Sequence, residues 1–192
     1  MSDYFVDGDD ILKNKLGIFD SQQFRVAEQD ITAKKTACLL DEAPTIFDFE
    51  YLRHIHKVLF ENIYSFAGQI RTVDIAKPEA KVPFAHAKFI ESGSERIFSD
   101  LQNKNYLVGI DKQLFVREIA NISADLNALH PFREGNGRTI RLFLILLADH
   151  AGYLLDYSQV SAKELINADK LAFEGNSGSL YAMYKKITIE IS

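Results

Sequence analysis

A helical repeat that stops at a proline, with a second apolar segment directly behind it, limits the possible folds more than any other part of this chain. Residues 111–129 carry apolar side chains at 4-3-4-3 spacing, which is typical of a helix with one face on a core. That stripe consists of Phe115, Ile119, Ile122, Leu126 and Leu129. Pro131 opposes continuation of the helix, and the stretch after Arg138 is apolar nearly all round until it stops near Gly152. We therefore predict a buried central helix that follows an amphipathic one across a short loop.

Helical spacing dominates the rest of the chain as well. We expect residues 21–40 to form a helix opened by Ser21, and residues 48–61 to form a helix capped by Asp48. The pattern Ser161-Ala-Lys-Glu164 is a capping box that starts a further helix. With four prolines and no linker-like tract, the chain is expected to be a single all-α domain. Within residues 1–192 we expect an N-terminal extension with a helix over 1–45, the core over 46–155 and C-terminal helices over 156–192.

One interval, residues 71–86, breaks the helical pattern. Apolar residues alternate around Val73 and Ile75, a proline-containing turn follows, and the alternation resumes at Val82 and Phe84. This pattern predicts a short β-hairpin. By shape alone an ordinary surface loop accounts for it equally well.

Composition limits the classes of function. The net charge of −5 argues against a chain that wraps nucleic acid, which requires a basic face. Cys38 is the only cysteine, so we expect neither a disulfide framework nor a cysteine metal site. No segment approaches the roughly 20 apolar residues that span a bilayer, and the acidic N-terminus lacks the layout of a secretory signal. We expect a cytoplasmic protein without membrane contact, which leaves room for translocation into a host cell.

Chemically active residue types concentrate in the loop between the two central helices. Residues 130–141 read His-Pro-Phe-Arg-Glu-Gly-Asn-Gly-Arg-Thr-Ile-Arg. Gly135 and Gly137 let the backbone bend and approach a ligand closely, and the following helix points its amides and its positive dipole end into the loop. Arg138 and Arg141 share a face near the start of that helix. Two guanidinium groups beside free amides suit a polyphosphate.

Two further groups in the loop indicate a reaction at phosphorus. Glu134 would repel a phosphate unless a divalent ion lay between them, and Mg²⁺ binds one or two carboxylates together with phosphate oxygens. The His130 imidazole can take a proton from an attacking hydroxyl near neutral pH. Each of these features alone occurs often in loops without chemistry, but their combination favours a site. Neither a Walker phosphate loop nor a dinucleotide fingerprint is present. The remaining histidines show no metal-ligand spacing and are expected to be structural or exposed: His54, His56, His86 and His150.

The stretch from His130 to Arg141 resembles the signature of the Fic family, H-P-F-x-[DE]-G-N-G-R-x-x-R, in full. Residues 10–18, 55–60 and 66–71 also look like the Fic domains of bacterial toxins and host-translocated effectors, so the resemblance covers essentially the whole chain. It implies an all-helical bundle around a central motif helix with a small β-hairpin flap. It also implies an adenylyltransferase that moves AMP from ATP to a Tyr, Thr or Ser hydroxyl of a target protein.

The resemblance assigns roles to individual residues. His130 would be the general base, Phe132 the anchor of the loop in the core, and Glu134 the ligand of Mg²⁺. The anion hole would be formed by Gly135, Asn136 and Gly137, and the β- and γ-phosphates would be held by Arg138 and Arg141. The target would dock by strand addition on a flap that includes Val73, Asp74, Ile75, Val82 and Phe84. Asn127 also matches a common position, although a buried asparagine at a helix end accounts for it equally well. Relatives that phosphorylate have lysine at the position of Gly137, so glycine favours AMP transfer.

Many Fic proteins carry an inhibitory helix with the pattern [ST]-x-x-x-E-[GN], whose glutamate pairs with the second motif arginine. In this chain Glu precedes Gly or Asn at three places, and the residue four positions earlier is never Ser or Thr: Lys57 before Glu61, His130 before Glu134, and Lys170 before Glu174. We therefore expect inhibition in trans, by a small antitoxin-like protein whose glutamate reaches Arg141. Two other functions stay open at this point: transfer of another nucleotide such as UMP, and a non-catalytic module that binds nucleotide or a partner.

Overall fold

A computed structural model of the chain describes residues 12–75 and 83–191, and within them the protein is a bundle of seven α-helices with one small sheet. The helices are α1 (Ser21–Leu40), α2 (Phe49–Phe60), α3 (Ile90–Asn103), α4 (Lys112–Leu129), α5 (Asn136–His150), α6 (Ala162–Phe173) and α7 (Gly178–Ile187). The strands are β1 (Tyr153–Leu155) and β2 (Thr188–Glu190), which pair antiparallel with Leu154 opposite Ile189. This architecture confirms the all-α fold expected from the periodicity.

The central position belongs to α5, as its apolar sequence predicts. Its buried residues surround the helix axis and include Ile140, Phe143, Leu144 and Leu147. The helix packs against α2 and α4, and β1 continues directly from its C-terminal end. The apolar stripe of α4 faces the same core, since every member of the predicted set from Phe115 to Leu129 is buried. The loop between α4 and α5 is therefore held by two helices that are themselves fixed in the core.

The helix ends follow their capping residues, with one correction. Asp48 accepts a hydrogen bond from the amide of Tyr51, as predicted, and the capping box at Ser161 is formed. The cap of α1 is Asp20 rather than Ser21, because the Asp20 carboxylate accepts from the Gln23 amide. Both residue types cap helices well, so composition alone could not choose between neighbours.

The predicted flap interval contains no strand in its described residues, 71–75 and 83–86. Val82 lies outside the described residues. The two described arms are joined by side chains instead: the Asp74 carboxylate accepts from the backbone amide of Ala87 at 2.7 Å and lies 2.7 Å from Nδ1 of His86. No helix in the described part of the chain is long and apolar enough to cross a membrane.

Candidate active site

His130 ends α4 in a left-handed conformation, with φ 47° and ψ 61°. Pro131 opposes continuation of the helix, because the residue before a proline avoids the right-handed helical region. The His130 amide still donates to the carbonyl of Leu126 at 3.0 Å, so the residue is attached to the last turn of the helix. Its carbonyl accepts from Nε of Arg71 at 2.8 Å.

The loop folds around Phe132 and Asn136. Phe132 is fully buried, which is where the sequence analysis expects the anchor of the loop. The Asn136 side chain accepts from the Phe132 amide at 2.9 Å and donates to the Phe132 carbonyl at 2.7 Å. The side-chain amide of Asn136 therefore closes the loop on itself, and any contribution of this residue to an anion hole comes from its backbone amide.

The N-terminus of α5 is open towards the loop. Gly135 is the N-cap and has no side chain to satisfy the first amides of the helix, which by helix geometry have no carbonyl partner within the helix. Gly135 adopts φ 79°, and a Cβ atom there would lie 2.4 Å from the Phe60 ring. Only glycine fits this position. A Cβ at Gly137 would lie 3.2 Å from Nη1 of Arg141, so the arginine passes close over the bare backbone.

Arg138 is fixed on three sides. Its Nη1 lies 3.0 Å from Oε2 of Glu28, and its Nη2 lies 3.9 Å from Oε1 of Glu134. Its guanidinium carbon stands 4.8 Å above the Phe60 ring. The Tyr64 hydroxyl donates to the other Glu28 oxygen at 2.7 Å, and burial raises the pKa of Tyr64 well above its usual range. This arrangement holds a cation at the open end of α5.

Sequence reasoning did not identify Glu28, which lies in α1, far from the motif. Glu28, Thr32 and Leu39 are the buried residues of α1 and share one helix face, which only the packing of α1 reveals. A carboxylate on a buried face requires a partner, and here the partners are Arg138 and Tyr64.

His56 supports the loop from the α2 side. Its ring stacks on Phe132 with centroids 3.9 Å apart and 7° between the planes. Nδ1 accepts from the Gly68 amide at 2.8 Å, so the ring proton is on Nε2, which lies 3.0 Å from the Glu134 carbonyl. Burial lowers the pKa of His56 to about 4, aided by the charge of Arg138, and the ring is neutral at pH 7. The sequence signal for this role is its place on the apolar face of α2, four residues after Leu52.

Arg141 lies one turn further along α5, on the same face as Arg138. Among the described residues, carboxylates of Glu28 and Glu134 approach Arg138, whereas none lies within salt-bridge distance of Arg141. Tyr157 is near Arg141, whose positive charge opposes the large upward pKa shift that burial causes at this tyrosine. The Tyr157 hydroxyl lies 3.2 Å from that of Tyr184, which in turn bonds Ser123 at 3.0 Å.

Four of the five predicted flap residues are described by the structure: Val73, Asp74, Ile75 and Phe84. Val73 and Ile75 are half-buried and Asp74 is exposed. A hydrogen bond from the Ala87 amide, and then the bond to His86, lower the pKa of Asp74. The side chain of Phe84 is buried and stacks on the His130 imidazole, with centroids 3.7 Å apart and 14° between the planes. Any docking role of Phe84 therefore falls to its backbone.

Asn127, one turn before His130, points away from the loop. Its side-chain amide donates to Asp169 of α6 at 3.1 Å. Asn127 is half-buried rather than buried, and this contact joins α4 to α6. Among the described residues, no three His, Cys, Asp or Glu side chains cluster as a metal site.

Comparison with known proteins decides the family. The model of the Fic/DOC family matches residues 46–148 of the chain, which include α4, the loop and all but the last two residues of α5. The chain belongs to the Fic/DOC family. The probable protein adenylyltransferase Fic of Escherichia coli K12 is 34% identical over 187 residues, which are 97% of this chain and 92% of that protein.

Two further comparisons place this Fic/DOC protein among enzymes and nucleotide complexes. The protein adenylyltransferase VbhT of Bartonella schoenbuchensis is 40% identical over 146 residues, which are 76% of this chain and 30% of VbhT. The crystal structure of BepC from Bartonella tribocorum, a VirB-translocated effector with bound AMPPNP, is 28% identical with a TM-score of 0.95 and covers 98% of this chain and 97% of that one.

Proposed function

We propose that this protein adenylyltransferase transfers AMP from ATP to a Tyr, Thr or Ser hydroxyl of a target protein, with His130 as the general base. The observation that carries the proposal is the position of His130 at one end of a loop whose other end is the open N-terminus of α5 with Arg138 and Arg141. An imidazole and a polyphosphate cradle thus belong to a single loop.

The chemistry is an in-line displacement at the α-phosphorus. His130 takes the proton of the attacking hydroxyl, whose oxygen forms the new bond to the α-phosphorus. The bond from that phosphorus to the bridging oxygen breaks, and pyrophosphate leaves with the electron pair. The product is a phosphodiester between AMP and the target side chain. Backbone amides of Asn136 and Gly137 stabilise the added negative charge on the phosphate oxygens. The Gly135 amide joins them once it is released from the Glu134 carboxylate, to which it donates in this structure.

Arg138 and Arg141 hold the β- and γ-phosphates in this proposal. Planar guanidinium groups bind phosphate oxygens through paired hydrogen bonds. Their position in the first two turns of α5 places two positive charges beside the positive end of the helix dipole. Glu28 offsets part of this charge at Arg138, and an anion between the two arginines would offset the rest.

Glu134 fits Mg²⁺ that arrives with ATP. Its side chain is 47% exposed, and one of its oxygens accepts from the Gly135 amide at 2.9 Å, which leaves the other oxygen for a metal. Mg²⁺ bound mainly by phosphates needs only one or two protein carboxylates, and a single one is what this loop offers. When bound, the ion neutralises charge on the α- and β-phosphates.

The target is proposed to dock beside the arms of the flap, which include Val73, Asp74, Ile75, Val82 and Phe84. A groove of about 540 Å³ supports this, because Pro83 and Ala85 of the C-terminal arm line it together with Phe173. Phe173 also contacts Phe84, with ring centroids 5.2 Å apart, so the groove adjoins the residue that stacks on His130.

Control in trans is the second part of the proposal. A small antitoxin-like protein would place a glutamate on Arg141, for which no carboxylate of the described residues is within salt-bridge distance. A cytoplasmic location is part of the proposal. Translocation into a host cell is the alternative, since BepC is a translocated effector.

One labelling experiment tests the function. The protein is incubated with α-labelled nucleotides, Mg²⁺ and a cell lysate, beside His130→Ala. We expect label on protein from ATP and a loss of about 10²–10⁴ in rate in the variant, as for removal of a positioned general base. If only UTP gives labelled protein, the group transferred is UMP rather than AMP. If the protein binds nucleotide but labels no protein, it is a non-catalytic binding module.

A further inference from the structure

Arg71 is the largest fully buried side chain among the described residues, and its donors end on backbone carbonyls. Nε donates to His130 at 2.8 Å, and Nη1 donates to Val73 at 2.8 Å. Nη2 is shared between Ala85, at a short distance, and Leu129 at 3.3 Å. One guanidinium group thus joins the end of α4 to both described arms of the flap.

The chemistry of this position calls for arginine. The last carbonyls of α4 carry the negative end of the helix dipole and lack partners within the helix. A guanidinium group offers five donors in a fixed plane, whereas lysine has three donors on one atom. Among the described residues the nearest carboxylate is that of Asp74, 3.9 Å from Nη1, and burial lowers the pKa of Arg71. The carbonyl oxygens therefore provide most of the compensation for the buried charge.

Phe84 contacts the side chain of His130, whereas Arg71 contacts its backbone. Its ring covers one face of the imidazole, and Phe173 supports Phe84 in turn. The amide of Ala85, the next residue, donates to the Ala128 carbonyl at 3.0 Å, so the arm is attached to the last turn of α4 at the level of the ring. The terminal torsion of a histidine side chain has broad minima, and a stacked ring restricts it.

We infer that Arg71 and Phe84 are positioning residues that tie the orientation of His130 to the two arms of the flap. Arg71 fixes the backbone of His130 from the N-terminal arm, and Phe84 fixes its ring from the C-terminal arm. Because Arg71 and Phe84 belong to these arms and contact His130, a target that docks on the arms changes the orientation of the imidazole. This inference rests on the proposed role of His130 as the base.

The matched variants are Phe84→Leu and Phe84→Tyr. Leucine keeps an apolar side chain but loses the flat ring, whereas tyrosine keeps the ring. We expect Phe84→Leu to lower kcat by about 10- to 100-fold, because small displacements of a catalytic group cost this much. KM for ATP and the affinity for ADP should stay at wild-type values, and Phe84→Tyr should recover kcat. Unchanged kcat in Phe84→Leu, or an equal loss of ADP affinity, would overturn the inference.

A measurement that does not depend on activity separates this inference from the proposed function. The ring protons of His130 should show an upfield ring-current shift in NMR spectra of wild type and Phe84→Tyr, and lose it in Phe84→Leu. If the shift is present but wild type labels no protein, the proposed function fails and the inference that Phe84 positions the His130 ring stands. If wild type labels protein and the shift is absent, the positioning inference fails and the proposed function stands.

Arg71→Lys tests the part of the inference that concerns Arg71. It keeps the positive charge but cannot reach the carbonyls of both arms and of α4 together. We expect a fall in kcat with unchanged ADP affinity, and an altered His130 ring shift. Wild-type kcat and an unchanged shift would show that Arg71 does not position the base. If Arg71→Lys does not fold, the Phe84 pair decides the question.

Discussion

Nη1 of Arg138 and Oε2 of Glu28 lie 3.0 Å apart and join α1 to the start of α5. The side chains are 29% and 12% exposed, so the pair is largely shielded from water. A carboxylate from outside the motif thereby fixes one of the two arginines assigned to phosphate. It also means that α1 contributes to the structure of the candidate active site.

Removal of Glu28 should destabilise the fold. Glu28→Ala leaves Arg138 without its close ion-pair partner and the Tyr64 hydroxyl without its acceptor. We expect a loss of about 1–3 kcal/mol in the free energy of unfolding, the usual cost of unpaired buried polar groups, measured by urea denaturation. Asp30→Ala, at an exposed position of the same helix, is the control and should change little. Equal stability of the two variants would mean that the pair contributes nothing.

The free energy of unfolding should decrease as the pH is lowered, because of His56. Its pKa is about 4 in the folded protein, against about 6.5 in an unfolded chain. Between these values the unfolded state binds a proton that the folded state does not, so the free energy of unfolding drops as pH falls, by up to about 1.4 kcal/mol per unit. Denaturation from pH 7 to pH 4 should be less pH-dependent in His56→Gln. His54→Gln, on the same helix but exposed, should behave as wild type.

Gly135 should tolerate alanine poorly. Its φ of 79° and the 2.4 Å approach of the Phe60 ring both oppose a Cβ atom. Gly109 has a similar φ of 81° with nothing within 4 Å, so Gly109→Ala measures the backbone term alone. We expect Gly135→Ala to cost about 1–3 kcal/mol more than Gly109→Ala, the usual range for overpacking. Calorimetric or urea unfolding would reveal the difference, and equal costs would contradict the close packing.

Arg141 should discriminate nucleotides by their phosphates. Arg141→Ala should weaken ATP binding by about 10- to 100-fold, as expected for lost charged hydrogen bonds, and leave AMP binding unchanged because AMP lacks the β- and γ-phosphates. Isothermal titration calorimetry measures both affinities. Arg117→Ala, at an exposed position of α4, is the control. An equal loss for AMP and ATP would place Arg141 elsewhere in the site.

Periodicity predicted the elements that are long and apolar. The stripe of α4 and the apolar α5 were visible because each spans several turns, and the capping box at Ser161 marked α6. The strands β1 and β2 have three residues each, too few to show an alternating pattern. Helix α3 was not predicted, although its buried residues from Ile90 to Leu101 lie on one face.

The candidate site was predictable where neighbours in sequence share a loop. His130 and the motif arginines needed only the local order of residues. Glu28 was missed because its role arises from packing of α1 on the loop, and sequence spacing to the motif carries no trace of it. His56 was expected to be structural or exposed, and its contact with the loop depends on how α2 packs. Phe84 was assigned to docking, and its stack on His130 depends on how the flap returns to α4.

The most direct test of the account is a crystal structure of His130→Ala with ATP and Mg²⁺. The account predicts the α-phosphate beside residue 130, and the β- and γ-phosphates against the N-terminus of α5 with Arg138 and Arg141 in contact. A triphosphate that binds away from this loop, or one whose α-phosphate faces away from residue 130, would contradict it.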